Sequence, residues 1–220
     1  MKKTLALSLL SFVISFSLSA QIKKGSTLLG VDLAYNTYTS KQESTGNEST
    51  ISSNDFSSSL LLGKAVKENL FVGGGLSFST STSKTVFPEA TEKNKTYGVS
   101  VWTRKYFPVF GPLYAFVNGS VYGNFGNSER SDNNDLKIKN MGFGVGIYPG
   151  ISVQLKKSFY LDASLNNLAN ISYIQTKREQ PDGLGGTSKQ TISNFGVSTS
   201  LGNSSNPLQL GIRWIIPGKG

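Results

Sequence analysis

A strict alternation of large apolar and smaller or polar residues ends the chain. Every even position from Leu208 to Ile216 is large and apolar, and three of the four odd positions between them are Gln209, Gly211 and Arg213. Successive side chains of a β-strand point to opposite faces, so the pattern predicts a strand with one continuous apolar face and one mixed face. A chain made of such strands must keep the apolar face of each strand away from water.

The same alternation recurs through the chain and predicts an all-β fold with eight antiparallel strands arranged up and down. We predict long polar loops near 39–55, 84–95, 127–139 and 176–189, which alternate with short turns at 67–69, 107–112 and 156–158. The apolar parity changes between Leu201 and Leu208, which indicates a bulge or kink at 203–207. Glycine inside these strands is tolerated where the interior is crowded.

The first twenty residues have the layout of a secretory signal. Lys2 and Lys3 precede an apolar stretch from Leu5 to Phe16, and Ala20 is a small residue at the expected cleavage site. We therefore predict a cleaved signal peptide over 1–20 and one domain over 21–220. The chain has no cysteine, which excludes disulfides and a lipoprotein anchor.

Two barrel architectures share this pattern, and they differ in where the apolar face points. It points inward in a soluble lipocalin-like barrel and outward in an outer-membrane barrel. The other face carries mainly Gly, Ser, Asn and Tyr rather than Lys and Glu, which favours the membrane barrel. Long loops at one end and short turns at the other favour it too.

Aromatic residues gather in two zones, as expected for girdles at the two membrane interfaces. The zone near the loops comprises Tyr35, Phe56, Phe78, Tyr97, Phe125, Tyr173 and Phe195, and the zone near the turns comprises Phe71, Tyr106, Phe107, Phe110, Phe159 and Trp214.

Residues 56–70, 102–108 and the last strand together resemble the outer-membrane protein beta-barrel domain family, which comprises small, porin-like, eight-stranded barrels of the OmpA/OmpX type. The resemblance implies a transmembrane β-barrel in the outer membrane. The last strand also resembles the C-terminal signal that the barrel assembly machinery reads during biogenesis, a resemblance carried by Gln209, Gly211, Trp214 and Ile216. Such barrels often stop at the last aromatic or apolar residue, whereas this chain continues through residues 217–220 and so departs from that signal.

Four charged residues fall on the mixed faces of the predicted strands: Asp32, Arg104, Asp162 and Arg213. Eight strands leave a lumen just wide enough for side chains, and a charge taken out of water must be paired. We therefore predict that these residues form a salt-bridged network that plugs the half of the lumen nearest the short turns.

The remaining charged residues are unevenly distributed between the two ends of the predicted barrel. The whole chain carries +9, and +7 without Lys2 and Lys3. The excess lies near the predicted short turns, where a basic rim would contact anionic lipid headgroups or would simply keep the turns solvated. The rim is formed chiefly by Lys64, Lys67, Lys105, Lys156 and Lys157. Outer-membrane lipid is the expected partner, and nucleic acid is a poor one for an exported barrel.

The chain has no histidine and no cysteine, which excludes most nucleophilic triads and zinc sites. We expect no catalytic, cofactor-binding or metal-binding residues. The leading hypothesis is a non-enzymatic outer-membrane barrel with a structural or surface-interaction role and polar extracellular loops, whose ligand or surface partner the sequence does not name. The alternatives are a narrow porin or small-solute carrier, and a soluble ligand-binding barrel.

Overall fold

The computed structural model describes residues 21–44, 47–86, 90–131, 136–165, 168–181, 187–199 and 208–218. The predicted signal peptide and the kink predicted at 203–207 lie outside these ranges. Within the described ranges, ten antiparallel strands form one sheet. Their bounds are β1 Thr27–Ser44, β2 Asn47–Lys67, β3 Leu70–Thr85, β4 Ala90–Phe110, β5 Leu113–Ser131, β6 Leu136–Lys156, β7 Phe159–Leu165, β8 Ala169–Pro181, β9 Thr187–Thr199 and β10 Leu208–Ile216.

Eight of the ten strands close into a ring. Each of β1 to β6 pairs with the next, β6 pairs with β7, β7 with β10, and β10 returns to β1. The other two strands extend the barrel wall towards the loop end of β6. There β8 pairs with the part of β6 that β7 does not reach, and β9 pairs with β8. The fold is thus the predicted antiparallel up-and-down barrel, with two of its eight strand positions each split into two segments.

The barrel has two distinct ends. The short turns after β2, β4 and β6 lie at one end, which we call the turn end, and the hairpins after β1, β3 and β5 lie at the other, the loop end. No helix in the described ranges is long and apolar enough to cross a membrane.

The predicted long loops are much shorter than expected. β1 and β2 stay paired as far as Ser44 and Asn47, and β5 and β6 as far as Arg130 and Leu136. Most residues assigned to the loops at 39–55, 84–95, 127–139 and 176–189 therefore belong to strands. Ser, Thr, Asn and Lys carry no apolar alternation, yet they pair normally once a neighbouring strand extends beside them, because strand propensity depends strongly on context.

The apolar face points outward. Leu210, Ile212 and Trp214 of β10 are exposed, whereas Arg213 and Ile215 between them are buried. The other strands follow the same rule, so the exterior is an apolar band and the lumen holds the mixed face. This is the orientation predicted for an outer-membrane barrel and the reverse of a soluble lipocalin-like barrel.

The predicted aromatic girdle at the turn end is wrong for two of its members. Phe71 and Tyr106 are fully buried in the lumen, while Phe107, Phe159 and Trp214 face outward. The reason is parity: Tyr106 lies two residues from the inward Arg104, and side chains two apart in a strand share a face. The outward part of the girdle includes Phe159 stacked on Trp214, with ring centroids 5.8 Å apart.

Candidate functional site

Four charged side chains meet in the lumen near the turn end. Asp32, Arg104, Asp162 and Arg213 come from β1, β4, β7 and β10, and each is at most 6% exposed. Arg213 forms an ion pair with Asp32 through Nη2, and its Nε lies 3.1 Å from Oδ2 of Asp162. The Nη1 atom of Arg104 lies 2.6 Å from the same Oδ2. The structure thus brings all four predicted residues into one network that crosses the lumen from β1 to β4.

Neutral groups complete the coordination of the two carboxylates. The Ser152 hydroxyl donates to Oδ1 of Asp162 at 2.6 Å, and the Ser59 hydroxyl donates to Oδ2 of Asp32 at 3.0 Å. The Nε of Arg213 makes no well-aligned hydrogen bond, so its attraction to Asp162 is ionic. Two positive and two negative charges cancel, which lowers the cost of taking them out of water.

Arg104 is held from a second side by aromatic rings. Its guanidinium carbon lies 4.3 Å from the centroid of the Phe116 ring, a cation–π distance. Its Nη1 also donates to the Tyr106 hydroxyl at 3.3 Å. Arg104 therefore links the charged network to the aromatic residues below it.

Glycines make room for Arg213 along the barrel wall. Gly30 is its cross-strand neighbour on β1, and Gly211 lies two residues before it on β10. A Cβ atom added to either glycine would overlap the Arg213 side chain. Because the lumen is narrow, a long side chain fits only where the neighbouring inward position is empty.

A layer of aromatic rings lies in the lumen between the charged network and the turn end. Tyr106 is at its centre, 6.0 Å from Phe71, 6.0 Å from Tyr114 and 5.8 Å from Phe116, centroid to centroid. Tyr114 in turn contacts Tyr160 at 5.8 Å. These edge-on and tilted contacts are favourable ring geometries and fill the cross-section with apolar volume.

The segment before β1 packs against this layer. Ile22 is buried in the same cluster as the aromatic layer. Its backbone N–H donates to Oδ1 of Asn69 at 2.8 Å, and the Asn69 N–H donates to the Ile22 carbonyl at 3.0 Å. Asn69 forms the β2–β3 turn with φ of 57°, a left-handed conformation that asparagine tolerates better than most residues.

Above the network, towards the loop end, the lumen widens into a polar cavity of about 320 Å³. Its wall consists mainly of hydroxyl and amide side chains, and its floor includes Asp32, Arg104 and Arg213. In the described ranges, no group of His, Cys, Asp and Glu residues could hold a metal ion. The cavity can hold water or a small polar solute above a closed floor.

Sequence reasoning missed three residues that shape this site. Trp102 lies over Gly63 and Gly73, where an added Cβ would overlap its indole, and its Nε1 donates to the Gly74 carbonyl at 2.9 Å. The even-numbered parity that Trp102 shares with Arg104 is a sequence signal for its inward position. Ile22 and Asn69 carry no comparable signal, because their contact joins residues 47 apart in the chain.

The remaining predicted residues lie away from the network. In β10, Gln209 and Gly211 point inward, while Trp214 and Ile216 are exposed on the outer face. The rim lysines lie at the turn end, and Lys105 Nζ donates to the Glu68 carbonyl at 3.1 Å. The other rim members, all exposed, are Lys64, Lys67, Lys156 and Lys157.

Comparisons with known proteins agree with this fold. No protein-family model and no curated protein matches the chain. Among solved structures, the outer membrane protein OprG from Pseudomonas aeruginosa has a TM-score of 0.54 at 12% identity, with 90% of this chain and 98% of that chain covered. Neisserial surface protein A has a TM-score of 0.48 at 14% identity, covering 87% and 99%. The likeness to OprG shows that this chain has the β-barrel fold of an outer-membrane protein.

Proposed function

We propose that this protein is an integral outer-membrane barrel without enzymatic activity, which has a structural or surface-interaction role and displays its hairpins outside the cell. The apolar exterior supports a membrane location. On β6 the outward apolar residues run from Met141 to Val153. At about 3.3 Å per residue and a strand tilt of about 45°, this stretch spans about 28 Å, close to the apolar band of known barrels.

The observation that carries the proposed role is the closed lumen. The ion network of Asp32, Arg104, Asp162 and Arg213 lies directly above the aromatic layer, and Ile22 fills the turn end beneath. In the described ranges, two stacked layers of buried side chains lie in the turn-end half of the lumen, which supports a role that does not depend on a wide aqueous path. A barrel of this kind acts through its surface rather than as a large pore.

Planar-bilayer recordings of the refolded protein test this proposal. We expect no steady large-pore current after insertion, with an open porin recorded in the same lipid as the insertion control. Heat-modifiable gel migration of the same sample shows that the barrel is folded. A steady large conductance from the folded protein would contradict the closed lumen.

The polar cavity above the network favours a second candidate, a narrow porin or small-solute carrier. Its hydroxyl and amide wall is suited to a small uncharged polar solute. Swelling of liposomes in small sugars or amino acids would distinguish the two functions. Swelling without large-pore current would favour the carrier. The absence of both swelling and current would favour the closed structural barrel.

We also propose two partners in the cell envelope. The barrel assembly machinery would read β10, through the signal formed by Gln209, Gly211, Trp214 and Ile216. Replacing Trp214 and Ile216 by Ser should lower the amount assembled in cells more than the yield of folding in detergent. The basic rim at the turn end would hold anionic headgroups of the inner leaflet, at about 1 kcal/mol per lysine.

A further inference from the structure

Three outward lysines lie in one row across the barrel, just above the apolar exterior at the loop end. Lys95 on β4 is the cross-strand neighbour of Asn127, Asn127 is the neighbour of Lys139, and Lys139 is the neighbour of Lys177 on β8. The three lysines are exposed and share the outward face with the apolar residues below them. We call Lys95, Lys139 and Lys177 the lysine row.

Lys139 and Lys177 are directly opposite each other in the β6–β8 ladder. Residues in this relation have Cβ atoms about 5 Å apart, and like charges there are destabilising. Within the described ranges neither lysine forms an ion pair, and the nearby Glu179 instead lies 3.7 Å from Lys189. An anion seated between the two ammonium groups would relieve their repulsion.

A surface groove of about 320 Å³ lies at this position and has two chemically different ends. Lys139 and Lys177 line its upper end together with the amide of Asn127, and the amide of Gln175 lies one outward position further down, at the edge of the lower end. The lower end is apolar, about 7 Å further down the strands, and is lined by Tyr97, Phe125 and Met141. A ligand that fills both ends must have a charged head and an apolar tail.

We propose that this groove binds a phosphorylated glycolipid of the leaflet on the loop side. Its phosphate would lie between Lys139 and Lys177, its sugar hydroxyls would reach Asn127 and Gln175, and an acyl chain would follow the apolar end along Met141. The proposal rests on the membrane location given above.

Charge around the barrel supports this choice of face. In the same cross-strand row, the outward residues of β1, β2 and β3 are the uncharged Tyr35, Phe56 and Thr80. In the described ranges, only the β4–β8 side carries two lysines that face each other across a strand pair, and the rings of Tyr97 and Phe125 line the same groove. The amides beside the lysines match a phosphate carried on a sugar better than a simple phosphodiester headgroup.

Lipid retention tests the assignment. Residues 21–220 would be refolded into phosphatidylcholine vesicles that contain a minor fraction of bis-phosphorylated lipid A, extracted with a neutral detergent, and analysed for bound lipid by native mass spectrometry. Parallel vesicles would contain dephosphorylated lipid A or phosphatidylglycerol, and a further sample would receive inorganic phosphate. The K139Q/K177Q variant loses both facing charges, and K41Q/K84Q removes two exposed outward lysines of β1 and β3, outside the groove and outside the basic rim.

We expect the wild type and K41Q/K84Q to retain the phosphorylated glycolipid, and K139Q/K177Q to retain at least about tenfold less, since each lysine contributes about 1 kcal/mol. Inorganic phosphate should not displace the lipid. Equal retention by K139Q/K177Q would overturn the proposal, as would equal retention of dephosphorylated lipid A or phosphatidylglycerol by the wild type. Unchanged heat-modifiable migration shows that each variant is folded. Failure of the folded wild type to enter vesicles would contradict the membrane location itself.

Discussion

Arg104 and Asp162 face each other across the lumen from β4 and β7, with Nη1 and Oδ2 2.6 Å apart. The two residues are 58 apart in the chain, and both are almost completely buried. Asp162 also attracts Arg213, so one carboxylate lies between two guanidinium groups. This relationship ties opposite walls of the barrel together.

Asp162→Asn should therefore destabilise the barrel strongly. The substitution leaves Arg104 and Arg213 without their shared counter-charge in a buried site, at a cost of about 3 to 5 kcal/mol. Equilibrium unfolding in urea, with the protein in lipid vesicles, measures the change. Glu179→Gln is the control, because its exposed pair with Lys189 contributes less than about 1 kcal/mol. Equal unfolding midpoints for Asp162→Asn and the wild type would show that the network is not stabilising.

Two adjacent glycines of β3 should respond differently to replacement by alanine. A Cβ at Gly73 would overlap the Leu62 carbonyl and the Trp102 indole, whereas a Cβ at Gly74 would lie 3.6 Å from its nearest neighbour, the Ser100 carbonyl. We expect Gly73→Ala to cost about 1 to 3 kcal/mol and Gly74→Ala to change stability by less than about 0.5 kcal/mol. Urea unfolding followed by tryptophan fluorescence measures both. Similar effects at the two positions would contradict the inward packing of Trp102.

Asn69 offers a test of the turn-end closure that separates backbone strain from hydrogen bonding. Asn69→Gly loses the bond to the Ile22 N–H but adopts a φ of 57° freely, so we expect a loss of about 1 kcal/mol. Asn69→Ala loses the same bond and also forces alanine into a left-handed backbone conformation, which costs about 1 to 2 kcal/mol more.

Urea unfolding gives the difference between the two variants, and amide hydrogen exchange at Ile22 reports the lost bond directly. Exchange at Ile22 should be faster in both variants. Unchanged exchange would mean that Asn69 does not hold the segment before β1.

The direction of each strand face could be predicted from the sequence, because it depends only on a period of two. Arg213 points inward and Ile212 outward for this reason, and the same rule places Asp32 in the lumen. Crowding also explains the inward glycines, since Gly30 and Gly211 lie beside the longest lumen side chain. The faces and the location of the charged residues thus follow from local pattern.

The strand lengths and the aromatic layer beneath the charged network could not be predicted in this way. The polar residues 91–96 at the loop end of β4 have no apolar alternation, and they pair because the neighbouring strands continue beside them. The contact of Ile22 with Asn69 depends on the ring being closed, and no local pattern encodes it. The prediction that Phe71 and Tyr106 belong to the outward girdle is wrong. Aromatic residues near strand ends suit a girdle and a lumen equally well, and only the parity of the position distinguishes an outward side chain from an inward one.

The function proposed above depends on the apolar strand faces pointing outward and the mixed faces pointing into the lumen. The two tryptophans report on this orientation. Trp102 is 3% exposed in the lumen, and Trp214 is 45% exposed on the outer face. Variants Trp102→Phe and Trp214→Phe each leave one tryptophan, since the chain has two. In vesicles of phospholipid brominated high on the acyl chain, the fluorescence of Trp214 should be strongly quenched and that of Trp102 should be nearly unchanged. Quenching of Trp102 but not of Trp214, or equal quenching of both, would contradict an apolar exterior in contact with hydrocarbon.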